Sequence, residues 1–399
     1  MRENPERGAW GVLLAAFAIF CLLAVSIPVG ARHHILNSER EQVAIVESLV
    51  GTVIIELPVG AGPQPLTRGN SMQIPEGTLI YVDETSEAVV TFFDHSFMRL
   101  FSGAAVRIET LRSPRYQSSP LPASLRLRLL TGRIRIGTAL STTAPVEMWV
   151  STLYGQTRLA EDGSYAIEVG QDRAEIIAYR GHADVIAQYQ QIRLEPRERT
   201  HIIPGQPPET PTGVARNLIA NGEFQEPLAE WRIFNDQGTD GGDIDGIAER
   251  VVDEGREAIR LYRTGAWGNH CQTILEQNID AVIPDPATSL VVRATVKVRY
   301  QALSGGGYLA SEYPLMIRIT YRDVYDSEAE WVQGFYYQNV DNNPTTFGQL
   351  IPRNRWFLFE SENLLESLSV SPHRIIRIRV YASGWDYDSL ISDISLIVE

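Results

Sequence analysis

Seven histidines and two cysteines are where metal or nucleophile chemistry would first show in this 399-residue chain, and their spacing supplies neither. His33, His34, His95, His182, His201, His270 and His373 are scattered, with only His33 and His34 adjacent. His270 and Cys271 are neighbours, but two ligands do not make a zinc site. No Gly-x-Ser-x-Gly nucleophile elbow occurs. Gly305-Gly306-Gly307 lacks the Lys-Ser/Thr that a phosphate-cradling loop needs. Asp323, Asp326, Glu328 and Glu330 could supply paired carboxylates for general acid and base work. Set between strand-like runs, they read instead as a solvated loop. The acidic loop Asp243-Ile-Asp245-Gly246 fails as an EF-hand, because Gly241 and Val252 stand where the first and last acids must be. The chain is expected to be non-enzymatic.

Two other constellations remain. The first is aromatic. Trp267 lies in Gly-Ala-Trp-Gly-Asn-His, and Trp385 and Tyr387 lie in Ser-Gly-Trp-Asp-Tyr-Asp-Ser, both loop-like contexts in which exposure is expected. Trp331 and Tyr337 are further candidates; Tyr336 and Tyr337 alternate, so one of the pair faces away from any ligand on the other's face. Trp231, Trp356, Phe357 and Phe359 fit a core. The second constellation is basic. Arg126 and Arg128 alternate with Leu125, Leu127 and Leu129; after Thr131-Gly132, Arg133 and Arg135 alternate with Ile134 and Ile136. Period-2 patterning predicts a hairpin turning near Gly132, with the aliphatics on one face and a solvated arginine face on the other. Arg107, Arg112 and Arg115 extend that face.

The elements that must carry these residues are short strands. TVIIELPV, EAVVTFF, RLRLLTGRIRI, AEIIAYRG and RIIRIRVYA alternate, and Gly, Asp and Asn punctuate them every 8–12 residues, which predicts an all-β fold. Ser361 to Leu368 carries a short helical pattern. Residues 9–31 are free of charge and, as a helix, would span about 35 Å, enough for a hydrocarbon core of about 30 Å. They predict a single-pass transmembrane signal anchor, with the bulk of the chain extracytoplasmic. A cleaved signal peptide is the competing reading, with Val29 and Ala31 before Arg32. Four prolines in residues 204–213 predict an extended linker. Beyond it the charge changes: residues 217–399 hold 15 basic and 27 acidic side chains, most of the chain's net charge of −14. Such a balance excludes nucleic acid as the main partner.

Residues 45–203 carry a string of turn and strand features: Gly51-Thr-Val, Leu66 with Gly69, Ile74-Pro-Glu-Gly77-Thr-Leu-Ile80, Ala88-Val-Val-Thr-Phe-Phe before Asp94-His95-Ser96, Leu130-Thr-Gly132, Ser151-Thr-Leu-Tyr-Gly155, and Arg180-Gly181 between two short strands. This segment resembles the extracytoplasmic FecR domain, with His95 and Leu153 where that family favours Gly and Pro. The resemblance implies a β-sandwich or roll. In iron-uptake members a cytoplasmic region ahead of the helix binds a sigma factor. Residues 1–8 are too short a tail to carry that activity over.

Residues 217–399 open Asn217-Leu-Ile-Ala-Asn221-Gly222-Glu223-Phe224, reach Trp231, and close on Asp393-Ile-Ser-Leu-Ile-Val. They resemble the galactose-binding-like jelly rolls that include carbohydrate-binding modules. The resemblance implies a β-sandwich in which aromatic faces stack on sugar rings, with Trp267, Trp331, Tyr337, Trp385 and Tyr387 as the candidates. It also implies a structural calcium held by Glu223, Gln225 and Asp393, although Gln225 replaces a carboxylate that many members have.

The expectation is thus a tail (1–8), an anchor (9–31), a juxtamembrane segment (32–44), a FecR-like domain (45–203), a Pro-rich linker (204–216) and a distal jelly roll (217–399) held away from the membrane. The expected function is binding of a glycan or other envelope ligand. The alternatives are a structural or protein-interaction scaffold of the envelope, and a transmembrane signalling regulator.

Overall fold

A computed structural model describes residues 5–58, 62–141, 145–213, 216–224, 228, 230–239 and 242–399. The fold is all-β behind one N-terminal helix, as the patterning predicts. Gln225 and Gly241 fall outside the described residues.

The helix is longer than its uncharged stretch and runs Pro5–Asn37. At about 1.5 Å per residue it is close to 50 Å long. It passes Pro28 and continues through Arg32-His-His-Ile-Leu, where side chains cap its last turn: Asn37 Nδ2 donates to the His33 carbonyl at 2.8 Å and Ser38 Oγ to that of His34. Leu13–Asn37 is the one segment among the described residues long and apolar enough to cross a membrane, a test that an N-terminal signal sequence also passes. Strand Glu39–Glu41 then pairs with residues 112–114, and Ser119 Oγ donates to the Leu36 carbonyl, seating the helix end on the first β body.

That body packs two sheets over a core that includes Val46, Val53, Ile80, Leu125, Leu127, Ile134, Ile167 and Ile176. The predicted hairpin at Gly132 is not formed. Ala123–Gly137 is one continuous strand that belongs to both sheets. Its first half pairs with Ala105–Pro114 and Val146–Ser151; its second half pairs with Phe97–Leu100 and Ser164–Val169. The crossing is a bulge: the register slips between Leu129 and Thr131, and Gly132 takes φ +80°. The slip also changes which parity points inward, from Leu125-Leu127-Leu129 to Ile134-Ile136. Arg126 and Arg128 therefore project from one sheet, and Arg133 and Arg135 from the other. His95, where the FecR pattern favours glycine, also sits at positive φ (+66°).

The second body is a β-sandwich. One sheet orders its main strands Ile247–Asp253, Arg256–Arg263, Tyr387–Val398, Leu290–Gln301 and Phe357–Glu360; the other orders Arg232–Asp236, Cys271–Val282, Arg374–Gly384, Leu315–Arg322, Glu328–Tyr336 and Gly348–Leu350. Val292, Val296, Leu275, Ile317, Val380 and Phe357 fill the space between. The opening motif is architecture. Asn217 Oδ1 accepts from the backbone N–H groups of Ile219 and Leu396, tying the start of the body to its last strand. Trp231 buries its ring against Phe224 and donates Nε1–H to the Asn221 carbonyl at 3.1 Å. The short helix predicted within Ser361 to Leu368 is Leu364–Ser367, capped by Asn363.

The bodies are not held apart. The Pro-rich segment lies back on the first body: Glu209 N–H donates to the His201 carbonyl and Thr200 Oγ1 to that of Glu209, and Thr212–Gly213 pairs with Glu198–Arg199. The outer faces of one sheet from each body then pack together around Phe97, Ala258, Trp356, Leu358 and Leu390. Arg99 and Arg135 donate across the junction to the carbonyls of Leu358 and Phe359, and Arg355 pairs with Glu47 at 3.1 Å. The arginine face expected in solvent is thus divided. Arg126 and Arg128 stay exposed at their backbone positions, whereas Arg133 and Arg135 enter this interface.

Candidate functional site

Two places gather the side chains that could act on a ligand. The first is one end of the β-sandwich, built where strands Arg256–Arg263 and Arg374–Gly384 end and Cys271–Val282 and Tyr387–Val398 begin. Arg263 is buried there and organises the loops. Its Nη1 donates to the carbonyls of Asn269 (2.6 Å), Trp385 (3.0 Å) and Gly384 (3.2 Å), and its Nε to that of Ile244 (2.9 Å). The Asp386 carboxylate accepts from the backbone N–H groups of Gly265 and Ala266. His270 Nδ1 lies 2.6 Å from Glu312 Oε1, joining the loop that follows Gln301 to the same cluster. Held by these bonds, the tip presents Trp267, 92% exposed, and Trp385, 42% exposed. Tyr308, 83% exposed, and Leu309 belong to the joined loop and were not singled out from sequence. The available signal was position: Tyr308 follows three glycines, a backbone with no side chains to cover it.

The remaining predicted aromatics lie elsewhere. Tyr387 is two residues from Trp385 but buried, its hydroxyl 2.6 Å from Thr273 Oγ1, and burial raises its pKa. Trp331 is half-buried, stacks on Phe359 with centroids 6.3 Å apart, and edges a groove with Leu49 and Phe347. Tyr337 has the Arg353 guanidinium 4.9 Å above its ring. Tyr336 points away from it, onto Tyr313. The acidic run is a paired loop: Asp323 Oδ1 accepts from the N–H groups of Tyr325 and Ser327, Asp326 pairs with Arg322, Glu328 with Arg377 and Glu330 with Arg318. Cys271 is a buried free thiol and Cys21 lies exposed on the helix.

The second place is a cleft of about 330 Å³ between the two bodies. Glu223 and Asp393 line it, but so do Arg135, Arg180, Arg197 and Arg293. Behind them one carboxylate serves three guanidiniums: Glu360 lies 2.6 Å from Arg133, 2.7 Å from Arg293 and 3.5 Å from Arg135. Burial alone would raise the Glu360 pKa, yet Arg293, Arg135 and Arg133 together hold it down to about 2. Arg256, buried nearby on the Phe97 ring, has its pKa lowered to about 10 by desolvation. Tyr179 is clasped between Arg293, at 4.1 Å from its ring centroid, and Arg135, at 5.3 Å. The implied calcium does not suit this setting. Four guanidiniums oppose a divalent cation, and Asp393 is engaged by the Thr295 hydroxyl. No group of three or more His, Cys, Asp or Glu able to hold a metal occurs among the described residues.

No family model matches this chain, and neither does any curated protein. Among solved structures, a Parabacteroides distasonis ATCC 8503 protein described as an anti-sigma factor is 16% identical over 34% of this chain and 59% of its own, with a TM-score of 0.27. The chain thus spans under two thirds of that protein. The family 11 carbohydrate-binding module of Clostridium thermocellum, solved with a β-1,3-1,4-mixed-linked tetrasaccharide, is 11% identical over 47% of this chain and 97% of its own, TM-score 0.28. A bacteriophage CBA120 tailspike domain is 10% identical over 46% of this chain and 21% of its own, TM-score 0.30.

Proposed function

We propose that this is a membrane-anchored, non-enzymatic binding protein of the cell envelope whose β-sandwich tip captures a polysaccharide. The observation that carries the reading is the tip itself. Trp267 and Trp385 stand exposed on loops that a buried arginine and a buffered network of backbone bonds hold still, so the aromatic faces are pre-set rather than ordered on binding. Exposed tryptophans on a fixed framework offer large apolar faces at low entropy cost, while Tyr308 adds a face with a polar hydroxyl. The helix supplies the anchor in this reading.

The test is binding of the full chain, in detergent, to a glycan array and to insoluble wall polysaccharides. Saturable binding is expected, weakened about tenfold or more by Trp267→Ala or Trp385→Ala, about 1.4 kcal/mol or greater. Chelator is expected to change neither binding nor thermal stability. A folded chain that binds no polymer, or tryptophan variants that bind as well as the parent, would defeat the reading and direct the search to a protein partner.

A further inference from the structure

The cleft between the two bodies is a separate matter from the tip; Asp393 is about 25 Å along the last strand from Trp385 at ordinary strand rise. Its chemistry is the reverse of a cation site. Four guanidiniums and two carboxylates line it; with Arg133, Glu360 and Asp162 just behind, five guanidiniums meet four carboxylates, in a chain whose net charge is −14. Two of those guanidiniums are nearly removed from water: Arg135 is 1% exposed and Arg293 is 8% exposed. Neither is fully satisfied. Nη1 of Arg293 and Nε of Arg135 meet no hydrogen-bond acceptor, although Arg293 uses Nε on Glu360 and Arg135 uses Nη2 on Ser164. Arg180, also buried, spends Nη2 on Asp162. Leaving buried guanidinium N–H groups unpaired is costly, and proteins rarely retain such groups without a partner.

We infer that the cleft binds a phosphate group, free or esterified. As the free ion or a monoester such a group carries close to two negative charges and offers several strong acceptor oxygens, which matches the unfilled donors. Planar guanidiniums suit oxyanions through paired N–H···O contacts. Tyr179 keeps Arg293 and Arg135 oriented by lying between them, and Ser164 fixes the second. Arg197, exposed at the rim, is placed to meet the ligand on entry. Because the lining comes from both bodies, the bound group would bridge them and hold the junction closed.

The experiment is calorimetric titration and thermal unfolding of the full chain in detergent, with inorganic phosphate, with glycerol phosphate, and with chloride at matched ionic strength. Phosphate is expected to bind and raise the melting temperature where chloride does not. Tighter binding of glycerol phosphate would assign the cleft to a phosphate monoester; tighter binding of the inorganic ion would assign it to free phosphate. Arg293→Met should weaken binding about tenfold or more and also lower the ligand-free melting temperature, since it removes one of the partners of Glu360. Arg197→Gln, at an exposed position where folding is not at risk, should weaken binding several-fold. A phosphate effect no larger than that of chloride, or Arg197→Gln and Arg293→Met variants that bind as the parent does, would overturn the inference.

Discussion

Glu360 shows how much one side chain can decide at this junction. It is the carboxylate on which Arg133, Arg135 and Arg293 converge, and it belongs to one body while two of its partners belong to the other. Its pKa is lowered from 4.5 to about 2 on folding. A carboxyl with a depressed folded pKa stabilises the fold above its unfolded value and loses that contribution as pH falls toward the folded one. The interface should therefore weaken as pH drops from about 4.5 to about 2 and be insensitive to this group near neutrality. Glu360→Gln should cost about 3 kcal/mol at pH 7, because three guanidiniums are left facing a neutral amide. Urea titration at pH 7 and pH 3 checks both statements: the gap between the variant and the parent should be clearly smaller at pH 3 than at pH 7. Equal stability at pH 7 would show that the arginines are compensated by other groups. Trp267→Ala, by contrast, removes a side chain that touches little, and should change stability by less than about 0.5 kcal/mol while weakening capture about tenfold or more.

Among the elements, strand Ala123–Gly137 explains both what the residue pattern discloses and what it conceals. Alternation identifies the strand and its inward aliphatics, and it places the arginines opposite them. It does not say what covers the opposite face, and so Arg133 and Arg135 read as solvated although a second sheet lies on them. Nor does alternation distinguish a turn from a crossing. Thr131-Gly132 between two alternating runs has the local chemistry of a hairpin; only pairing with Ala105 on one side and Val169 on the other, both far in sequence, makes it a bulge. At the tip the limits are the same. Glycine-rich surroundings correctly mark Trp267 and Trp385 as loop residues, but Tyr387, in the same segment, begins the next strand and turns inward. Glu223 and Asp393 were readable as neighbours of the first turn and the last strand, whereas three of the four arginines that change the meaning of that pairing, Arg135, Arg180 and Arg197, come from the other body. The bulge is a sharp test. A Cβ on Gly132 would lie 2.6 Å from the Ala104 Cα, and the residue holds φ +80°. Gly132→Ala should therefore destabilise the chain by about 2 kcal/mol or more, read by the urea midpoint. An unchanged midpoint would mean that the strand does not cross there.

For the whole molecule, the interface determines where the tip can go. Inter-domain junctions usually permit relative motion unless they are large and apolar, and this one combines a buried patch around Phe97 and Trp356 with ion pairs and arginine-to-carbonyl bonds. It also fixes direction. The turn Glu254-Gly255 shares a cavity with Arg40 and residues 113–117, next to the end of the helix. From that turn strand Arg256–Arg263 runs eight residues, about 26 Å, to the tryptophan loops. The aromatic tip therefore points away from the helix because the bodies are docked, and a flexible tether would not have given it that direction. If the docking is what sets it, the two bodies should unfold together. Calorimetry of the full chain at pH 7 should show one transition, and Phe97→Asp, which buries a charge at the centre of the apolar patch, should split it into two while each body keeps its strands. Two transitions in the parent would mean that the bodies are independent, and the direction of the tip would then have to come from its ligand.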